Sequence, residues 1–212
     1  MRLTSCFLAS CFLLFSCRNG KEDNTPVADS LKTKDSPVVS RTERPAANPY
    51  ATVDVSPMDM IYYPVDYPKL KMTHTASQPP MARVIYSRPH LQGRHIFHEV
   101  LKYDEPWRLG ANEATELMLY KEAMIQDKKI KAGRYTLYCI PHKENWTVAI
   151  NATIDTWGLE PDSTRDVARF VVPVKQTQNN LEYFTMVFEQ DKQSANLLMA
   201  WDDVEVRLPF RF

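Results

Sequence analysis

Glu182-Tyr183-Phe184-Thr185-Met186-Val187-Phe188-Glu189 alternates along its whole length. Successive side chains of a strand point to opposite faces, so Phe184, Met186 and Phe188 share one face while Tyr183, Thr185 and Val187 share the other. Asp203-Val204-Glu205-Val206-Arg207-Leu208 alternates as well, with a polar set on one side, which predicts a strand with one solvated face. Working outward, Met81–Tyr86, Thr115–Tyr120, Arg134–Ile140, Trp146–Ile150, Arg169–Val174 and Ala195–Trp201 are short runs rich in Val, Ile, Thr, Tyr, Phe and Trp. Turn residues punctuate them: Pro89, Gly93, Gly110, Lys131-Ala132-Gly133, Pro141 to Asn145, Asn179-Asn180 and Asp202-Asp203. No segment beyond the N-terminal region carries a long helical period. The expectation is an all-β chain: one antiparallel β-sandwich or jelly roll over residues 50–212.

The first 49 residues read differently. Arg2 precedes an uncharged apolar stretch over residues 3–15, and Leu14-Phe15-Ser16-Cys17 ends it before an abruptly polar run from Arg18. This has the form of a secretory signal over residues 1–16 with a lipobox, cleaved before a diacylated Cys17. The apolar stretch is too short for a spanning helix, which needs roughly 20 residues, whereas two or more acyl chains anchor a protein stably. Leu8-Ala9-Ser10-Cys11 also has the lipobox form, but cleavage there would leave Phe12 to Phe15 at the mature terminus. The expected location is the bacterial cell envelope, lipid-anchored at the outer membrane. Residues 18–49 are polar and carry Pro26, Pro37, Pro45 and Pro49, the composition of a disordered tether. As a flexible coil, about 30 residues reach roughly 30 Å.

Of the 4 cysteines, Cys6 and Cys11 fall in the signal and Cys17 takes the lipid, so only Cys139 remains in the body. No intramolecular disulfide can form, and the domain must be held by its core. Cys139 lies in an apolar run and is expected to be buried and inert. With 26 basic and 26 acidic residues and no basic stripe, the chain lacks the electrostatic footprint of a nucleic-acid binder.

Residues 86–115 concentrate the chemistry. Arg88, Arg94, Trp107, Arg108, Asn112 and Glu113 fall in loops or at strand ends. Arginine presents a planar fork to carboxylates or phosphates, and neighbouring Trp and Tyr rings can stack a sugar. The same residues could equally form an arginine–glutamate network that ties loops to the sandwich, with Trp107 in the core. His90, His95 and His98 lack the convergent ligands of a zinc site: on a strand His95 and His98 would face opposite ways. No metal or other cofactor is expected. A glycosidase needs two carboxylates flanking one bond, and Glu113 is the one acid inside this segment's strongest motif. There is no Gly-x-Ser-x-Gly elbow. Trp157 beside Gly158 would serve as a carbohydrate platform if exposed.

Ser87-Arg88-Pro89, Gly93-Arg94-x-Ile96-Phe97, Trp107-Arg108-x-Gly110-Ala111-Asn112-Glu113-Ala114-Thr115, Ala132-Gly133-x-Tyr135 and Trp157-Gly158 together resemble the domain of unknown function 2911 family. The resemblance covers residues 57–210. It implies export, mostly in Bacteroidetes, and a β-rich fold, and it implies no particular reaction, cofactor or partner. His98 departs from the pattern, where glycine usually follows the Ile-Phe pair.

Three functions are compatible with these residues. The first is a lipid-anchored binding or scaffolding sandwich that holds an anionic or carbohydrate-like ligand on Arg88, Arg94, Trp107, Arg108, Asn112 and Glu113. The second is an envelope hydrolase with Glu113 as acid or base. The third is a purely structural module.

Overall fold

The computed structural model describes residues 54–191 and 194–212; the signal, Cys17 and the tether lie outside the described residues. Ten strands form the architecture: β1 Met58–Tyr63, β2 Ala82–Ser87, β3 Thr115–Leu119, β4 Ala123–Ile125, β5 Lys128–Ile130, β6 Gly133–Pro141, β7 Asn145–Asn151, β8 Asp166–Pro173, β9 Lys175–Asp191 and β10 Ser194–Arg211. A six-stranded sheet runs β1-β2-β3-β6-β7-β8 and a four-stranded sheet runs β5-β4-β10-β9. Every pairing is antiparallel. The chain is an all-β sandwich. One short helix, α1 Tyr67–Met72, joins β1 to β2, and among the described residues no helix is long and apolar enough to cross a membrane.

Alternation sets the two faces of each sheet. From β9, Phe184, Met186 and Phe188 are buried, while Tyr183 and Val187 stay exposed. From β10, Val204, Val206 and Leu208 are buried. Val84, Leu117, Leu137, Val148 and Phe170 contribute from the six-stranded sheet to the same core. Burying such side chains stabilises the fold by about 1.5–3 kcal/mol each. Cys139 is wholly buried, and loss of solvation pushes its thiol well above the ordinary value. Trp146 and Trp201 are core residues as well.

Two expected turns need correction, and two local elements give no signal in the sequence. Asn179-Asn180 and Asp202-Asp203 are not turns between strands; they lie inside β9 and β10, which run 17 and 18 residues. At Asp202 the register with β9 shifts on both sides. This bulge accommodates a residue with a φ of 53°. The β4–β5 hairpin has too few residues per strand to show a period, and its turn rests on Gln126, at a φ of 49°. Ile96–Val100 forms a π-helical turn with His95 at its start, so the alternation of a strand does not govern His95 and His98.

Candidate functional site

The segment after the π-turn sets the site. Trp107 exchanges two backbone hydrogen bonds with Cys139, at 2.7 and 2.8 Å, where β3 has not yet begun. Its ring lies in the core, 4.8 Å from Phe184 and 5.6 Å from Trp201, and its Nε1–H donates to the Gly110 carbonyl at 3.0 Å. A side chain at Gly110 would meet the Ser87 carbonyl at 3.1 Å, so the loop packs tightly against the end of β2 there. Thr115 closes the loop by donating to the Leu109 carbonyl at 2.6 Å. Leu109 is buried with a φ of 54°. That conformation costs an L-residue about 1–2 kcal/mol, and such strain is concentrated at functional sites.

The six candidate residues separate into two groups. Arg88 donates from Nε to the Phe184 carbonyl and from Nη2 to Thr185 Oγ1, each at 3.1 Å, and approaches Asp59 at 3.5 Å. It fastens the end of β2 to β9. Arg94 closes its own loop by donating to the carbonyls of Leu91 at 2.7 Å and His90 at 3.2 Å. Trp107 is core. Asn112, at a φ of 59°, donates to the Asp54 carboxylate. Neither Arg88 nor Arg94 lines any of the cavities around Arg108 and Glu113.

Arg108, Glu113 and Trp157 form the second group. Trp157 is 53% exposed and its ring centroid is 5.9 Å from the Arg108 guanidinium carbon. Arg108 carries two buried nitrogens, Nε and Nη1, that have no hydrogen-bond partner. Burial lowers its pKa from the ordinary arginine value, and the Glu113 charge opposes that shift. The group remains a cation, since arginine does not deprotonate in proteins. Gly158 fixes the loop that carries Trp157: its φ is +77°, and a Cβ there would stand 2.7 Å from the Ala114 Cβ and 3.3 Å from the Arg108 Cβ. The paired motifs in residues 107–115 and 157–158 are therefore two sides of one contact.

Three cavities meet at this contact. An open groove of about 450 Å³ is lined by Met58, Ile85, Glu113, Glu116, Asp155 and Trp157, among others. A second, of about 330 Å³, has apolar walls from Leu101, Pro106, Trp107, Leu159 and Trp201, with Arg108 at its edge. A smaller, more enclosed pocket of about 80 Å³ lies between them beneath the 152–162 loop. It shares Arg108 and Gly158 with the apolar groove and Ala114, Thr136 and Thr156 with the other. Glu116, Thr136 and Asp155 were not singled out by sequence. Register brings the first two together: Ile85, Glu116, Thr136 and Asn151 stand opposite one another across β2, β3, β6 and β7. Their row faces away from the core, and the 152–162 loop covers its far end. Arg134 donates to Glu116 at 2.6 Å and to Asp155 at 2.7 Å, and Arg83 reaches Glu116 at 3.3 Å.

Among the described residues no group of three or more His, Cys, Asp or Glu side chains is arranged to hold a metal ion. No curated protein and no solved structure matches the chain. A family profile matches residues 68–210, which includes both halves of the Arg108–Gly158 contact, so the chain belongs to the family described as protein of unknown function DUF2911.

Proposed function

We propose that this chain is a lipid-anchored cell-envelope protein whose sandwich binds carbohydrate in the cleft around Arg108, Glu113 and Trp157. The observation that carries the reading is the pair of buried, unpartnered Arg108 nitrogens beside an exposed tryptophan. A buried donor without a partner costs about 1–3 kcal/mol, and a hydroxylated ligand entering the cavities that Arg108 lines would satisfy it once the side chain turns outward. Trp157 supplies the apolar face on which a sugar ring stacks. Binding is favoured over hydrolysis because a glycosidase needs a second working carboxylate opposite Glu113. The nearest acids of the groove, Glu116 and Asp155, are both held by Arg134.

Probing a glycan array with the full chain and with Trp157→Ala tests the cleft. The wild type is expected to be retained on a defined subset of glycans and the variant to lose them. Its melting temperature should stay within a few degrees, because the ring is exposed. Retention that survives the substitution, or release of reducing ends that vanishes in Glu113→Gln, would overturn the binding reading. The anchor is tested separately: Cys17→Ser should move the chain from the membrane fraction to the soluble one.

A further inference from the structure

The arrangement of the three cavities goes further than the presence of a cleft. We infer that the ligand is an uncharged linear oligosaccharide that crosses the Trp157–Gly158 ridge and occupies both grooves, with Arg108 beneath its middle. This rests on the carbohydrate reading above.

Charge selects against an acidic chain. Glu113, Glu116 and Asp155 line one groove and Glu160 and Asp162 line the enclosed pocket, against the guanidiniums of Arg108, Arg83, Arg134 and, acting on Asp162, Arg165. Asp162 is held below the usual carboxylate range by the hydroxyl and amide of Thr164, so it keeps its charge. A ligand bearing a carboxylate on every ring would meet this excess of like charge, which disfavours it. A purely apolar ligand fails for the opposite reason, since it would leave the Arg108 donors unpaired. Sugar hydroxyls both donate and accept. They can donate to the carboxylates and accept from Arg108, while the ring's apolar face lies on Trp157.

Geometry selects a chain over a single ring. Cavities of about 450 and 330 Å³ take Trp157 and the adjoining Gly158 into their respective linings, and each shares lining residues with the pocket that holds Arg108. Each is at the small end of the range for a ligand site. Met58 stands in the first groove and Leu159 in the second, both exposed, so each groove can be blocked without disturbing the core.

Calorimetric titration of the full chain in detergent tests this. The probes are cellobiose and cellotetraose, chitobiose and chitotetraose, xylobiose and xylotetraose, and trigalacturonate. The expected result is that a neutral tetramer binds roughly tenfold or more tightly than its dimer. Met58→Arg and Leu159→Arg should each bring that tetramer down to the affinity of the dimer, with thermal melts unchanged, and Trp157→Ala should abolish both. Equal affinity for dimer and tetramer, or no effect of the two blocking variants, would overturn the two-groove inference while the cleft stands. Trigalacturonate binding as tightly as the neutral tetramers would overturn the charge argument alone. Absence of Trp157-dependent binding to every probe would overturn the inference together with the carbohydrate reading beneath it.

Discussion

Arg108 is the residue at which stability and binding part company. Its Nε and Nη1 are buried without a partner, and the residue lines the enclosed pocket. Removing a buried donor that has no partner also removes its desolvation cost of about 1–3 kcal/mol. Arg108→Met is therefore expected to leave unfolding stability unchanged or to raise it by up to about 2 kcal/mol, while carbohydrate retention is lost; denaturant titration beside the glycan array reads both. Gly158 should behave oppositely. Its φ of +77° and the 2.7 Å approach to the Ala114 Cβ leave no room for a methyl group. Gly158→Ala should cost about 1–3 kcal/mol and displace Trp157, so the same two measurements would both fall. The sequence marked these residues unevenly. Arg108, Glu113 and the Trp157-Gly158 pair stood out as motifs. Arg88 and Arg94 carried equal chemical promise, yet Arg88 closes on the distant Phe184 carbonyl and Arg94 on carbonyls of its own loop, and composition reveals neither set of partners.

At the scale of elements, alternation carried most of the fold. The faces of β9 around Phe184 and of β10 around Val206 follow from period two alone. Their lengths did not follow, because Asn179-Asn180 and Asp202-Asp203 have turn chemistry and still lie within strands. Asp202 shows why. Aspartate tolerates the left-handed conformation that its bulge requires, and its buried carboxylate accepts the Ile96 N–H at 3.1 Å with His95 Nδ1 at 3.5 Å. The bulge in β10 thus anchors the π-turn of residues 96–100, and through it the start of the segment that ends in Trp107 and Arg108. No local pattern announces a contact between positions 96 and 202. Asp202→Ala leaves the Ile96 amide without its acceptor and should destabilise the domain by about 1–3 kcal/mol. Hydrogen exchange should localise the loss, with the Ile96 amide exchanging faster than those of β6 and β7. Uniform acceleration across all three would instead mean that the bulge supports the whole sandwich rather than the π-turn.

For the molecule as a whole, two tyrosines tie distant parts of the chain and set its tolerance of alkali. Tyr86 of the six-stranded sheet donates to the Met186 carbonyl at 3.2 Å and accepts the Met186 N–H at 2.8 Å, joining the two sheets across the core. Tyr138 donates to Asp166 at 2.7 Å and accepts from Arg169 at 3.1 Å, joining β6 to β8. Burial, above all, pushes each phenol from 10.0 to about 12. A phenol whose folded pKa is raised holds its proton more tightly in the native state than in the unfolded one. Its contribution to stability is complete below the unfolded value of 10.0 and is lost as pH climbs toward the folded value of about 12. Stability is thus expected to fall steeply between pH 10 and about pH 12, and ultraviolet titration of the native protein should show a late-ionising fraction among its 10 tyrosines. Tyr86→Phe separates the two roles of this side chain. It removes a proton from the linkage, so the alkaline slope becomes shallower. It also leaves the Met186 amide and carbonyl without their phenol partner, so stability at neutral pH drops by about 1–3 kcal/mol. A shallower slope with no loss at neutral pH would mean that water takes over the Met186 groups, and that this phenol adds nothing to the joining of the sheets.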